Sequence, residues 1–516
     1  MSIKRPAVLF AALFVFSAFC AVGGVGIAAV IVSAILVILS FAALIKKNLR
    51  VCAVLLLCAI ACSYAVIFTR FTENSVNSRL KLHGDTGRFR AITRDVSVYG
   101  SKATVYAEIS EGPLKGMRAV VLADGDGAAP TLYETVSFDA TLVPIIGGHG
   151  KRVYGGDKYY MAGGYFLSAK ARDLRVEGLP EKSEMTWVQK YYFHIYDSFI
   201  KSMPYVGTTD TFPYAIALLT GDRTRFDTEK YNSFSRSGLT PYMCISGLHV
   251  AIATGMLGFA LRKLRIRKIP AFCITLVFLA VICAATGASG SVMRAAIMSA
   301  VMCAADLRGK ASDGYSSLAV AFIIICINNP YCIYDYGTLL SFLCMMGLIC
   351  AGNVNAHSSF LPVKINFVFR APLVSSFYAF GFGSVAVSTL FDGIYLLSPF
   401  SNLAAAVVFT PLMYALVFTA LISFMPIAVI KVFSVPAAFL IKAFEIISDL
   451  FGVIPDSYAT EPLPVYAVYI CVGTIFVHLV LCAFGKFRHH AVSGFLCAAL
   501  PIVFISVCHF VNVAFA

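Results

Sequence analysis

Long apolar runs separated by short basic loops make up most of the chain, interrupted once by an extended polar interval. A helix needs roughly 20 apolar residues to cross the hydrocarbon core of a bilayer. Runs of this kind predict helices near 6–22, 25–45 and 51–69, and, after the polar interval, near 241–261, 269–286, 290–305, 315–329, 336–352, 372–391, 400–425, 464–485 and 491–513. Segment 434–451 is apolar but carries Lys442, Glu445 and Asp449, so it reads either as a charged pore-side helix or as one lying in the interface. Lys4 and Arg5 ahead of an apolar run imitate a secretory signal, yet the run to Ile45 is broken only by Gly23-Gly24 and Gly26 and reads better as two helices with a tight turn. The pattern predicts a polytopic α-helical membrane protein with about 11–13 transmembrane helices.

The polar interval, 70–188, changes period. Phe89–Thr93, Ala103–Ile109, Met117–Leu122 and Val136–Val143 alternate as strands do, and clusters such as Asp124-Gly125-Asp126-Gly127 separate them. Five or six short strands in this length predict an inserted small β-barrel, OB-like. The expected organisation is three helices in 1–69, the barrel in 70–188, an amphipathic interfacial connector in 189–240 and the main helical bundle in 241–516.

Composition excludes a string of water-soluble domains: only 13% of residues are charged and 59% are hydrophobic, against roughly 25% charged in soluble chains. The net charge of +14 is read first as basic loops on the cytoplasmic side. Lys46, Lys47 and Arg50, the cluster Arg262 to Lys268, Arg308 with Lys310, Lys364 with Arg370, and Lys486 with Arg488 mark that side and place 70–188 outside the cytoplasm. The count between 370 and 464 stays ambiguous, and the C-terminus is expected outside. Sixteen cysteines sit in apolar runs, none between Cys62 and Cys244. No CxxC pair occurs, so neither a zinc site nor a disulfide framework is indicated. Within 70–188 the strip Arg79, Lys81, Arg88, Arg90 and Arg94 is basic, although the interval holds sixteen basic against fourteen acidic residues. It reads either as a charged barrel edge that resists aggregation or as a groove that follows nucleic-acid phosphates.

Candidate chemistry gathers after the barrel. Gly221, Asp222 and Arg223 precede a short amphipathic helix bracketed by Asp227 and Gly238, which leads through Arg236-Ser237-Gly238-Leu239 into Ile245-Ser246-Gly247-Leu248-His249-Val250. Ser246 and His249 stand three apart on one helix, a spacing suited to a polar helix contact or a channel lining. A hydrolytic dyad would also need a positioned base and an oxyanion hole, so no catalytic residue and no enzymatic activity are assigned. Arg294, inside an apolar run, is the sharpest single residue, because an intramembrane arginine is usually paired or functional. An acid such as Asp222 and a phosphate are its two candidate partners. Asp335 precedes a helix whose N-terminal dipole it would favour, while Asn402 and Pro411 read as a packing hydrogen bond and a kink.

These strings, together with Asn329-Pro330, Asp335-Tyr336-Gly337 running into Ser341-Phe342, Ser398-Pro399, Asn402-Leu403, Thr410-Pro411-Leu412 and Ile454-Pro455, resemble in order the core signature of the ComEC competence family of DNA-internalisation channel proteins. The resemblance covers about 210–460, and more loosely 1–188. It departs where Tyr336-Gly337-Thr338 replaces the usual Gly-Phe continuation. It also lacks the C-terminal metallo-β-lactamase-like domain, since no HxHxDH occurs among the nine histidines.

The resemblance implies a multi-pass protein of the bacterial cytoplasmic membrane, a channel for uptake of single-stranded DNA during natural transformation. It implies single-stranded DNA, a cytoplasmic translocase or helicase, a periplasmic or surface DNA receptor, a separate nuclease and the lipid bilayer as partners, and leaves room for a homodimer. No Walker A motif is present, so ATP is not coupled by this chain itself, and no cofactor or metal is expected. Two other readings stay open: a small-solute secondary transporter and a non-transporting membrane scaffold.

Overall fold

The computed structural model describes residues 5, 7–8, 11 and 35, then 49–179 apart from 84–85, 100–101, 113, 125–129, 131–132 and 146–156. It continues with 187, 189–190, 193–194 and 211–220, and from 233 onward with all but 240–241, 244–245, 287–288, 311, 358–369, 391–392, 423–424, 455–457, 460–464, 485–486 and 516. The predicted helices near 6–22 and 25–45 lie almost wholly outside the described residues. So do Gly221, Asp222, Arg223 and the side chain of Lys81. The chain divides into two compact units: 13–193 with 325–335, and 1–12 with 194–324 and 336–516.

The first unit opens with α1 (Leu49–His83), which runs fourteen residues past the apolar stretch that predicts it. It continues because Val76 and Leu80, one turn apart on the same face, are buried in the β core. The strands are β1 (Thr86–Tyr99), β2 (Lys102–Ile109), β3 (Arg118–Asp124), β4 (Thr135–Thr141) and β5 (Val143–Pro144); after α2 (Asp157–Ala162) come β6 (Leu167–Lys170) and β7 (Leu174–Gly178). The long β1 serves two neighbours: Thr86–Ile92 pair β4, and Ala91–Tyr99 pair β2, with a bulge between Thr93 and Asp95. Such a bulge bends a strand and lets a sheet curl. β2 pairs β3, β3 pairs β6 in parallel, and β6 pairs β5, which continues β4 after Leu142. The ladder therefore closes on itself as a five-stranded OB-like barrel, with β7 added outside β4. Small inward residues (Ala91, Ala107, Ala119, Ala169) leave room for Phe138 and Leu167 in its narrow interior.

Residues 325–335 belong to this unit although the rest of it ends at Phe193. A 3₁₀ turn, Pro330–Tyr334, carries Tyr331 into the barrel core, where its ring meets Phe68 and Phe166 edge-on at 6.5 and 6.2 Å. Asn329 caps the turn by accepting the Tyr331 N–H and donates from Nδ2 to the carbonyls of Met161 and Ala162 at the end of α2. Those carbonyls are among the groups a helix C-terminus leaves unsatisfied.

The second unit is helical: α3 (Phe212–Thr220), α4 (Gly247–Lys263), α5 (Lys268–Ala285), α6 (Gly290–Leu307), α7 (Gly314–Asn328, its end shared with the first unit), α8 (Tyr336–His357), α9 (Ala371–Leu390), α10 (Ser398–Leu421), α11 (Ile427–Gly452), α12 (Val465–Phe484) and α13 (Phe487–Phe515). A two-stranded pairing of β8 (Ile394–Tyr395) with β9 (Tyr458–Ala459) ties α9 and α10 to α12. Among the described residues, Gly290–Leu307, Tyr336–Val354 and Ser398–Ala420 are long and apolar enough to cross a bilayer. Five shorter apolar helical stretches accompany them.

Apolar side chains point outward at Phe259, Ile269, Val277, Val407 and Phe439, each at least 65% exposed, the reverse of a water-soluble surface. Helix α11 resolves the charged segment in the same way. It turns Phe439, Ile446 and Leu450 outward and buries Ala437, Ala438, Phe444 and Ser448, with Lys442 and Glu445 paired at 2.9 Å. Small residues permit the close crossings, as is usual in membranes. A Cβ on Gly347 would overlap the Tyr378 backbone, and one on Gly381 the Ala498 backbone.

Candidate functional site

Arg294 sits one turn into α6 and is 7% exposed. Its Nε–H donates to Ser341 Oγ on α8 at 2.9 Å, and its Nη1 lies 3.6 Å from Met298 Sδ one turn further along α6. Both partners are uncharged, and among the described residues no carboxylate pairs with it. Of the two partners foreseen from sequence, Asp222 lies outside the described residues. Glycines bring the elements together. A Cβ on Gly247, the first residue of α4, would overlap the Arg294 guanidinium, and one on Gly290 would overlap Thr338 on α8.

The α4 N-terminus is closed by Ser246 and His249. Ser246 Oγ accepts the Leu248 N–H at 3.3 Å, and the Ser246 backbone N–H donates to His249 Nδ1 at 3.2 Å. This is a reciprocal capping box in which histidine stands where glutamate or glutamine is usual. Because Nδ1 accepts, the ring proton resides on Nε2, which is buried and has no partner among the described residues. The ring meets Phe409 of α10 edge-on at 5.3 Å. The arrangement gathers a guanidinium, an imidazole N–H and the positive end of a helix dipole. Ser246 Oγ also lies 3.1 Å from His249 Nδ1, within hydrogen-bonding distance.

Two of the remaining family strings, Arg236 to Leu239 and Ser398 to Asn402, meet each other. Gly238, at φ +74°, ends the helix of residues 233–236: Leu239 N–H reaches Phe234 O and Gly238 N–H reaches Ser235 O, a Schellman closure that favours glycine. A Cβ there would also crowd Ser398 and Tyr395 at 3.0 Å. Ser401 Oγ donates to Ser237 O, Asn402 Nδ2 donates to Ser398 Oγ, and Tyr242 OH donates to Asn402 O. The structure thus unites Ser246, Gly247, His249, Arg294 and Ser341. Asn402 stands one layer away through Tyr242 and Phe409. The Asp335 backbone N–H closes the 3₁₀ turn on Cys332 O.

On the barrel, the basic strip divides. Arg79 is exposed on α1, Arg88 Nη2 reaches Ser137 Oγ at 3.4 Å, and two others are tied to glutamates: Arg90 to Glu111 at 2.6 Å and Glu177 at 2.7 Å, Arg94 to Glu108 at 3.1 Å. Hydrogen bonds from Ser137 and Arg90 hold the Glu177 carboxyl below its ordinary value. A carboxyl lowered in the fold stabilises above its unfolded pKa and loses that contribution as pH falls through the folded one. The thermal midpoint of the barrel is therefore expected to drop on acidification below about pH 5, and Glu177→Gln to flatten that limb in a calorimetric pH series.

A cluster of tyrosines lies on β2 and β3, beside the β5–β6 connection. Tyr106 meets Tyr165 at 5.3 Å and Tyr160 at 6.1 Å, Tyr159 meets Tyr160 at 5.7 Å, and the Arg118 guanidinium lies over Tyr165 at 6.0 Å. Burial raises the Tyr165 phenol to about 12 and Tyr106 higher still, so both stay neutral at physiological pH. OB-folds bind oligonucleotides on this strand 2–3 face and on the loop between strands 4 and 5. The tyrosines escaped the sequence reading, which weighed charge alone; Lys158-Tyr159-Tyr160 was the available signal.

Comparisons with known proteins bear on the helical unit. A family model described as "Competence protein" matches residues 218–515, more than half of the chain. ComE operon protein 3 of Bacillus subtilis (strain 168) is 33% identical over 138 residues, 27% of this chain and 18% of that protein. The chain thus covers less than a fifth of this relative's length. No solved structure matches.

Proposed function

Because the chain belongs to the competence protein family, we propose that it admits single-stranded DNA through the cytoplasmic membrane during natural transformation. The observation that carries this reading is Arg294, a buried cation satisfied by a hydroxyl and a thioether rather than by a carboxylate. Its charge remains uncompensated by the described residues, and a buried charge without a counter-ion is costly. A passing phosphodiester supplies one. Gly247 and the α4 N-terminus flank it and favour an anion for the reasons of helix polarity.

The basic loops support the orientation. The α4–α5 turn with Arg262 to Lys268, the α6–α7 turn with Arg308 and Lys310, and Arg370 before α9 alternate along the helices in the way one cytoplasmic side requires. On that reading the barrel and the residues 325–335 are extracytoplasmic. Three helices between 370 and 464 (α9, α10, α11) carry the count through to a C-terminus outside. The tyrosine face then receives the strand by stacking, a sequence-tolerant contact suited to DNA of any origin. Motive force comes from a cytoplasmic translocase, and any strand degradation from a separate nuclease.

Binding tests the first step. The full chain in lipid nanodiscs is expected to bind a fluorescent oligothymidine with an affinity that falls steeply with salt. The double variant Tyr160→Ala with Arg118→Gln is expected to weaken it about tenfold or more, given ~1–3 kcal/mol per stacked base. Unchanged affinity in that variant would remove the barrel from the pathway.

A further inference from the structure

We infer that Cys326 and Cys332 form a disulfide in the mature protein, stapling the turn that docks into the barrel core. The two thiols are both buried, at 0% and 5% exposure, with their sulfurs 2.9 Å apart. An S–S bond is ~2.05 Å, so a shift of under an ångström joins them. Neither sulfur has another hydrogen-bonding partner among the described residues. The spacing of six falls outside the CxxC pattern, which is why the sequence alone does not flag the pair.

Between the two cysteines lie the groups that hold the turn in place. Asn329 reaches the Met161 and Ala162 carbonyls, and Tyr331 fills the barrel interior between Phe68 and Phe166. Cys326 belongs to the last turn of α7 and Cys332 to the 3₁₀ turn, so a bond between them ties the end of that helix to the turn. Cross-linking a segment removes conformations from the unfolded chain and leaves the docked turn with less freedom to lose.

The inference rests on the proposed sidedness, because disulfides persist outside the cytoplasm and not within it. The oxidant is the disulfide of an extracytoplasmic thiol–disulfide exchange protein. One cysteine, as thiolate, attacks that disulfide and forms a mixed disulfide; the second thiolate displaces the exchange protein's sulfur. The Cys326–Cys332 bond forms, and the exchange protein leaves as a dithiol carrying the two electrons and two protons. This step precedes burial of the turn.

The full chain, taken from host membranes in the presence of a maleimide trap and cleaved with chymotrypsin without reduction, tests this directly. Cleavage after Phe322, Tyr331 and Tyr334 separates the two cysteines, so a bridge appears as two linked peptides in the mass spectrum. Reduction before trapping releases them as two maleimide adducts. In parallel, Lys115→Cys on the exposed β2–β3 turn is probed in intact cells with a membrane-impermeant maleimide, against the unsubstituted chain. Linked peptides in most of the protein support the bridge. Doubly trapped peptides with Lys115→Cys labelled from outside overturn the bridge and leave the sidedness standing. Doubly trapped peptides with Lys115→Cys unlabelled overturn the sidedness, and the bridge with it.

Discussion

Arg294→Lys is expected to lower transformation roughly ten- to a hundredfold in a competent host while the chain still accumulates in the membrane. Lysine keeps the charge but presents a single ammonium where the guanidinium bonds Ser341 through Nε and reaches toward Met298 through Nη1. A hydrogen bond to a charged group contributes about 1.5–3 kcal/mol, and that sets the range. Arg294→Ala removes the charge as well and is expected to abolish transformation. Ser341→Ala leaves the cation in place with one bond fewer and is expected to fall in between. Because the two residues share an interaction, the Arg294→Ala, Ser341→Ala chain should be no worse than Arg294→Ala alone. The assay is colony counts per amount of membrane-localised protein. Normal transformation by Arg294→Ala would reduce the residue to a packing element, and loss of the protein from the membrane in Arg294→Lys would do the same.

The second large effect is on folding. Tyr331→Ala empties a site in the barrel core that a residue 3% exposed now fills, and truncating a buried aromatic costs about 3–5 kcal/mol. The barrel has few large core residues to compensate, since alanines line much of its interior. Limited proteolysis of the purified full chain is expected to cut the barrel loops of Tyr331→Ala at least tenfold faster than those of the parent. Tyr331→Phe, which preserves the edge-on contacts with Phe68 and Phe166, should behave as the parent. Equal resistance in Tyr331→Ala would mean that the turn merely rests on the barrel.

The helices and strands were legible because hydrocarbon thickness and sheet pleat impose their periods directly on the sequence. The run near 464–485 becomes Val465–Phe484, and that near 315–329 becomes Gly314–Asn328. Where the reading fell short, the deciding interaction is remote in sequence. The extension of α1 to His83 depends on Val76 and Leu80 finding a barrel to pack against. The quenching of Arg90 depends on Glu177, 87 residues away. Asn329-Pro330 was readable as a motif, but its task of capping α2 and carrying Tyr331 required the three-dimensional pairing of 325–335 with the barrel. Arg294 stands out in the sequence as a charge inside an apolar run, yet its hydroxyl partner at Ser341, 47 residues on, has no signature in spacing.

Entry of DNA whose two strands carry different labels, into a transformable host whose own family member has been deleted and replaced by this chain, measures the transport claim most directly. One strand's label alone is expected to become resistant to external nuclease, and Arg294→Ala to leave both labels outside. Equal internalisation of both strands, or no internalisation with the chain present in the membrane at normal amount, would contradict that claim.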